Sequence, residues 1–223
     1  MARPIPDDDP VTITERGIVA TRFCLGKLTT MGVAFVAHCL LNQNAKTDGG
    51  ARRPGVYSPA VQVLRDAGWR IEQMPCPELA FTGLNRFWAV REQYDTPAHR
   101  RHCQRLAENV ADQIEVHVAR GEDIVLIGIE GSPSMGVCIT SSDPARGGRP
   151  QWPDGAPELT DGEGIFVEEL RLALERRGLN FPRVAGMTHP LASHDPAAEV
   201  AGLATVLRQP DRPAQPRPPA VER

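Results

Sequence analysis

Gly32-Val-Ala-Phe-Val-Ala37, running directly into His38-Cys39-Leu-Leu-Asn42-Gln43-Asn44, decides the fold of this chain. A short, continuous apolar run that stops at polar, turn-favouring residues has the length and pattern of a buried strand. Beyond that loop the pattern becomes helical. Ser58-Pro59 opens a helix, with Ser58 read as N-cap and proline in the first turn, where its missing N–H costs nothing. Val61, Leu64 and Ala67 give that helix its apolar face, and Gly68 closes it. Trp69–Met74 is the second strand, running straight into Pro75-Cys76-Pro77-Glu78. Thr96-Pro97 repeats the capping signature before the longest helix, whose Cys103, Leu106, Ala107, Val110, Ile114 and Val118 keep helical spacing up to Gly121. Ile124–Ile129, apolar at nearly every position, reads as a central parallel strand. Ile165–Leu174 reads as a helix ended by Gly178, and Arg183–Met187 as a fourth strand leading to His189.

Strands alternating with helices specify an α/β fold: a Rossmann-like parallel sheet with helices on both faces. Gly32–Ala37, Trp69–Met74 and Ile124–Ile129 are therefore expected to be parallel neighbours. In such sheets ligands bind beyond the carboxyl ends of the strands. The unusual residues of this sequence fall in those loops.

The 223 residues suit one domain of moderate size, and 41% hydrophobic content suffices for a core. With only 5% aromatic residues, that core rests on Val, Leu, Ile and Ala. A single domain is expected over residues 31–208. Residues 1–30 read as an extension or as upstream of the true start, and residues 209–223, dense in proline, as a disordered tail. The Gly/Pro-rich stretch from Asp143 to Gly164 is long enough for a lid. A net charge of −3 argues against a nucleic-acid partner. The basic cluster His99-Arg100-Arg101-His102 reads as a solvated helix start. No apolar stretch approaches the roughly 20 residues that span a bilayer, and Asp7-Asp8-Asp9 is no secretory signal. A cytoplasmic protein without a membrane partner is expected.

Five cysteines at irregular spacing suggest no disulfide framework. Cys39, Cys76 and Cys138 each lie just after a strand. Thiolates are metal ligands and nucleophiles, although a free cysteine is also a common small buried residue. Cys103 belongs to the core, and Cys24 carries no role. Glu78, two residues from Cys76, suits a general base, a group orienting a substrate N–H, or a helix cap. Gly131-Ser132-Pro133-Ser134 offers hydroxyls and backbone N–H groups that suit an anion, a carbonyl oxygen or an ordinary tight turn. Asn42, Gln43, Asn44 and Lys46 read equally as a substrate-facing loop or a solvated turn. His38 and His189 lack the paired spacing of a zinc site.

Four motifs in this order, His38-Cys39-Leu-Leu-Asn42-Gln-Asn44-Ala-Lys46, Pro75-Cys76-Pro77-Glu78, Arg91-Glu-Gln-Tyr94-Asp-Thr-Pro97 and Gly128-Ile-Glu-Gly-Ser132-Pro-Ser134, resemble the family of 2-thiouracil desulfidases and related desulfidases. The resemblance covers about residues 32–178. It implies a Rossmann-like fold and three cysteines holding a [4Fe–4S] cluster whose open iron takes sulfur from a small thiocarbonyl substrate, such as a thiolated nucleobase. Cys39 and Cys76 match the first two ligands. The third family cysteine stands immediately after the Ser-Pro-Ser triplet, and that position is Met135 here; Cys138, three residues on, is the expected substitute. On this reading Glu78 activates water, Ser132 and Ser134 hold the heterocycle or its developing charge, and Asn42, Asn44, Lys46, Arg86 and Tyr94 contact substrate. Two other readings are a cluster-free protein that binds a small molecule and a zinc-dependent hydrolase using Cys39, Cys76 and Cys138 or a histidine.

Overall fold

The computed structural model describes residues 32–47, 50–51, 53–144, 158–188 and 195–209. The expectations for residues 1–30, Cys24, His189 and the proline-rich tail lie outside them.

Four strands form one parallel sheet: β1 (Gly32–Ala37), β2 (Trp69–Met74), β3 (Ile124–Glu130) and β6 (Arg183–Thr188), in the order β2-β1-β3-β6. The register pairs Phe35 with Glu72 on one side and Leu126 on the other. The three strands expected to be parallel neighbours are so. Every position of β1 and β3 is buried. Successive strand side chains point to opposite faces, so both faces of the sheet centre are covered.

Two helix pairs provide the cover. Helix α5 (Pro97–Ala119) packs along α6 (Ile165–Arg176) and touches β3, whereas α2 (Ser58–Asp66) touches β2 and packs on α7 (Pro196–Arg208), which covers β6. Cys103, Ala107, Val110 and Ile114 of α5 are buried, as their spacing predicts. Gly68, Gly121 and Gly178 end their elements with φ of 71°, 68° and 66°, a region that glycine enters without strain. Thr96 caps α5, its Oγ1 accepting from the His99 N–H at 3.3 Å.

Some expectations need correcting. Ser58 is the first helical residue rather than the cap, which falls on Tyr57, whose side chain makes no capping bond among the described residues. His99 is not solvated but fully buried, because α5 turns it inward between Tyr94 and Phe81. The end of the supposed lid is β5 (Glu158–Asp161), which pairs antiparallel with β4 (Ile139–Ser142); residues 145–157 lie outside those described. Ser142 hydrogen-bonds the Glu92 carboxylate, tying this hairpin to α4 (Arg91–Tyr94). Among the described residues no helix is long and apolar enough to cross a membrane.

Candidate functional site

The chain passes from β1 outward to β2, and from β3 outward to β6 on the other side. Between β1 and β3 the connections diverge, which leaves a crevice at the strands' carboxyl ends. Cys39 lies just past β1 within α1 (His38–Leu41), Cys76 and Glu78 just past β2, and Ser132 just past β3. Topology alone thus collects residues nearly a hundred positions apart.

Cys76 is the N-cap of α3 (Pro77–Thr82); its sulfur accepts the Leu79 N–H at 3.4 Å. A capping cysteine with Pro77 at the first helical position fixes Glu78 in the first turn, facing the crevice. There Glu78 meets Arg86, whose Nε donates to Oε2 at 3.3 Å, and Ser132, whose Oγ donates to Oε1 at 3.2 Å. The pair is shielded: the Arg86 and Glu78 side chains are 5% and 12% exposed. Arg86 is locked further by donating to the Ala45 carbonyl at 2.6 Å and the Gly83 carbonyl at 3.2 Å, and it reaches the Cys76 sulfur at 3.9 Å. Gly83, at φ 82°, makes the turn that sends the chain back toward Glu78.

Ser132 is itself oriented. Its Oγ accepts from the backbone N–H groups of Ser134 (3.3 Å) and Met135 (3.0 Å), so those donors face the hydroxyl rather than open space. Ser134 is fully buried and its Oγ has no hydrogen-bond partner among the described residues.

Burial, together with the charges of Cys76 and Glu78, pushes the Cys39 thiol up to about 12, against the opposing pull of Lys46. Burial, then Glu78, raises that of Cys76. Burial and then Glu78 also push the Tyr94 hydroxyl to about 12. His38 is lowered by burial and by the Arg86 charge, and its Nε2 is buried without a partner among the described residues. Both histidine and thiols are therefore held toward their neutral forms.

The structure brings together Cys39, Cys76, Glu78, Arg86 and Ser132, with Lys46 and Tyr94 within their electrostatic reach. Others stand apart. Asn42 and Asn44 are exposed and build a turn, with Asn42 Oδ1 accepting from the Asn44 N–H at 3.2 Å and Asn44 Nδ2 donating to Pro54 at 3.2 Å. Gln43 is buried and donates to the Cys39 carbonyl at 2.8 Å. Of the two readings of this loop, the turn describes the asparagines. Cys138 is exposed, and the charges its thiol meets are Glu130, Glu163 and Asp161. It does not join Cys39 and Cys76. Among the described residues no three His, Cys, Asp or Glu side chains come together as a metal site.

A cavity of about 320 Å³ adjoins the crevice, lined by Phe81, Thr82, Arg86, Phe87, Tyr94 and His99 among others. Its rim is apolar: Phe81 and Phe87 are 43% and 50% exposed. The aromatic lining escapes a sequence reading because the 81–88 segment has no periodic pattern. The one signal for His99 is its place three residues after the Thr96 cap.

Comparison with known proteins adds a family. The family model described as "Putative 2-thiouracil desulfurase" matches residues 31–149, the stretch that carries β1 to β4 and every residue of the crevice. An uncharacterized protein of Methanocaldococcus jannaschii is 33% identical over 105 residues, 47% of this chain and 67% of that protein. No solved structure matches the chain.

Proposed function

The chain belongs to this 2-thiouracil desulfurase family, and on that premise we propose that it removes sulfur from the thiocarbonyl group of a small heterocycle bound at the crevice between β1 and β3. The observation that carries the proposal is the Glu78 carboxylate, held by Arg86 on one oxygen and Ser132 on the other beside Cys76. Replacing C=S by C=O consumes one water and releases one sulfide. Water must lose a proton as its oxygen bonds to the carbon, and the departing sulfur must gain one. A positioned carboxylate performs such transfers, and Glu78 is the carboxylate this crevice supplies. The Arg86 guanidinium, fixed by two carbonyls, is in this reading the positive charge that meets the negative charge developing on sulfur. The aromatic cavity, near the lower end of the range for small-molecule pockets, takes one ring of nucleobase size.

The iron–sulfur cluster implied by the resemblance is held by three cysteines, thiolates being the usual ligands of such clusters. The crevice offers Cys39 and Cys76, and the third place is Met135. The donor set does not fit the cluster, so none of these steps passes through it. Zinc hydrolysis likewise needs three protein donors, and the described residues of the crevice do not assemble them.

The test is to incubate the purified chain with 2-thiouracil and measure sulfide and uracil. Wild type should release both in equal amounts, and Glu78→Gln should slow release by roughly a hundredfold or more. Failure of the wild type to release either product would overturn the proposal, as would an unimpaired Glu78→Gln.

A further inference from the structure

We propose that this chain is a cluster-free member of its family, because the place of the third ligand has been converted into core. The inference rests on the desulfurase reading only for the identity of that place. Met135 is 3% exposed and packs in the hydrophobic core, where it sets a larger, uncharged thioether in place of a thiolate. Cubane irons are held by thiolates, and an uncharged thioether is a poor replacement.

The backbone around Met135 prevents a neighbour from standing in. Its N–H is bonded to Ser132 Oγ at 3.0 Å and its carbonyl accepts from the Ile129 N–H at 2.9 Å. On one side the loop lies so close to β3 that a Cβ on Gly128 would fall 2.4 Å from the Met135 carbonyl oxygen. On the other, a Cβ on Gly164 would fall 2.3 Å from the Ser134 carbonyl carbon and 2.7 Å from the Met135 nitrogen. Two glycines thus clamp the loop between β3 and the start of α6, leaving no slack for a three-residue slide.

Cys138 is fixed elsewhere. Its N–H donates to Glu130 Oε2 at 3.2 Å, its carbonyl accepts from the Gly162 N–H at 2.8 Å, and its side chain is exposed among carboxylates. Bringing it to Cys39 and Cys76 would require breaking the β4–β5 hairpin at its root. Among the described residues the thiols at the crevice are therefore two.

The experiment is anaerobic reconstitution of the full-length chain with ferrous iron and sulfide, then desalting, iron and sulfide counts, and a visible absorption spectrum. Wild type is expected to retain little iron and show no cluster absorption, and Met135→Cys to gain iron, sulfide and the absorption together. Wild type retaining close to four irons and four sulfides per chain, the full complement of a cubane, would overturn the inference. So would a Met135→Cys protein with unchanged circular dichroism that still takes up no cluster, since Met135 would then not be what prevents it. If Met135→Cys fails to fold, the wild-type counts decide alone. These counts do not depend on turnover, so a wild type without a cluster and without sulfide release overturns the desulfurase reading and leaves this inference standing.

Discussion

The Ser132 hydroxyl donates to the Glu78 carboxylate across 54 residues of sequence, joining the loop after β3 to the helix after β2. The same hydroxyl accepts two backbone N–H groups, so it relays the rigidity of its own turn to Glu78. The Glu78 side chain is thereby fixed from both sides of the crevice, since Arg86 holds its other oxygen.

Glu78→Gln should therefore cost stability as well as activity. It removes the charge opposite a buried Arg86, a loss of roughly 3 kcal/mol for an ion pair broken from one side. Ser132→Ala should cost about 2–3 kcal/mol, since it leaves two N–H groups without the Ser132 acceptor. Because the two residues touch, the double variant should lose less than the sum of the single losses. Urea unfolding of all four proteins measures this, and strictly additive losses would show that the contact carries no coupling.

A side chain on Gly186 of β6 should cost stability. A Cβ there would lie within bonding distance of the Glu130 carboxylate, whose Oε2 receives the N–H groups of Cys138 and Ile139 at 3.2 and 2.8 Å. Gly186→Ala must displace Glu130 and loosen the root of the β4–β5 hairpin. A loss of about 1–3 kcal/mol is expected, the range for overpacking. Faster hydrogen exchange at Cys138 and Ile139 should accompany it, and a variant as stable as wild type would contradict the reading.

The parallel sheet is legible in the sequence because β1 and β3 are apolar on both faces, which only a central strand can be. Convergence of Cys39, Cys76 and Ser132 comes from topology, since each ends a neighbouring strand. The β4–β5 hairpin is not legible: Ile139-Thr-Ser-Ser142 has one strongly apolar residue, and its partner strand lies in a Gly/Pro-rich stretch. Helix α7 does carry a signal, for Asp195-Pro196 is the same cap-and-proline signature as Thr96-Pro97, with the Asp195 carboxylate accepting from the Ala197 N–H at 2.9 Å. The partnership of Glu78 with Arg86 is beyond the sequence. It depends on a turn at Gly83 that no periodicity announces.

Cysteine accessibility should depend on structure rather than number. Cys138 is exposed and Cys103 fully buried on α5, with its thiol pushed to about 12 by burial and by Glu169. In native protein treated with iodoacetamide, peptide mapping should find Cys138 alkylated and Cys103 protected until unfolding. Burial and nearby carboxylates raise the Cys138 thiol, so its alkylation should accelerate as pH rises above about 8.5, the ordinary thiol pKa. Alkylation of Cys103 at the rate of Cys138 would mean that α5 opens far more readily than its packing allows.

His99 makes the fold sensitive to acid. Its ring lies 4.8 Å from that of Tyr94 and 5.1 Å from that of Phe81, with the Cys103 sulfur 3.6 Å from Nδ1. Burial lowers its pKa from 6.5 to about 4, helped by the charges of His102 and Arg100 and opposed by a backbone hydrogen bond at Tyr94 and by Asp95. Between those two values the unfolded chain binds a proton that the folded chain does not, so folding stability must rise with pH there. The stabilisation is fully present above pH 6.5 and is lost as pH falls toward and through 4. A shift of this size corresponds to roughly 3 kcal/mol. In His99→Gln this titration is gone, whereas the surrounding carboxylates still titrate. The stability advantage of wild type over His99→Gln should therefore shrink by that amount between pH 6.5 and 4 in denaturant unfolding. A difference that stays constant across this window would show that His99 is not held neutral in the folded protein.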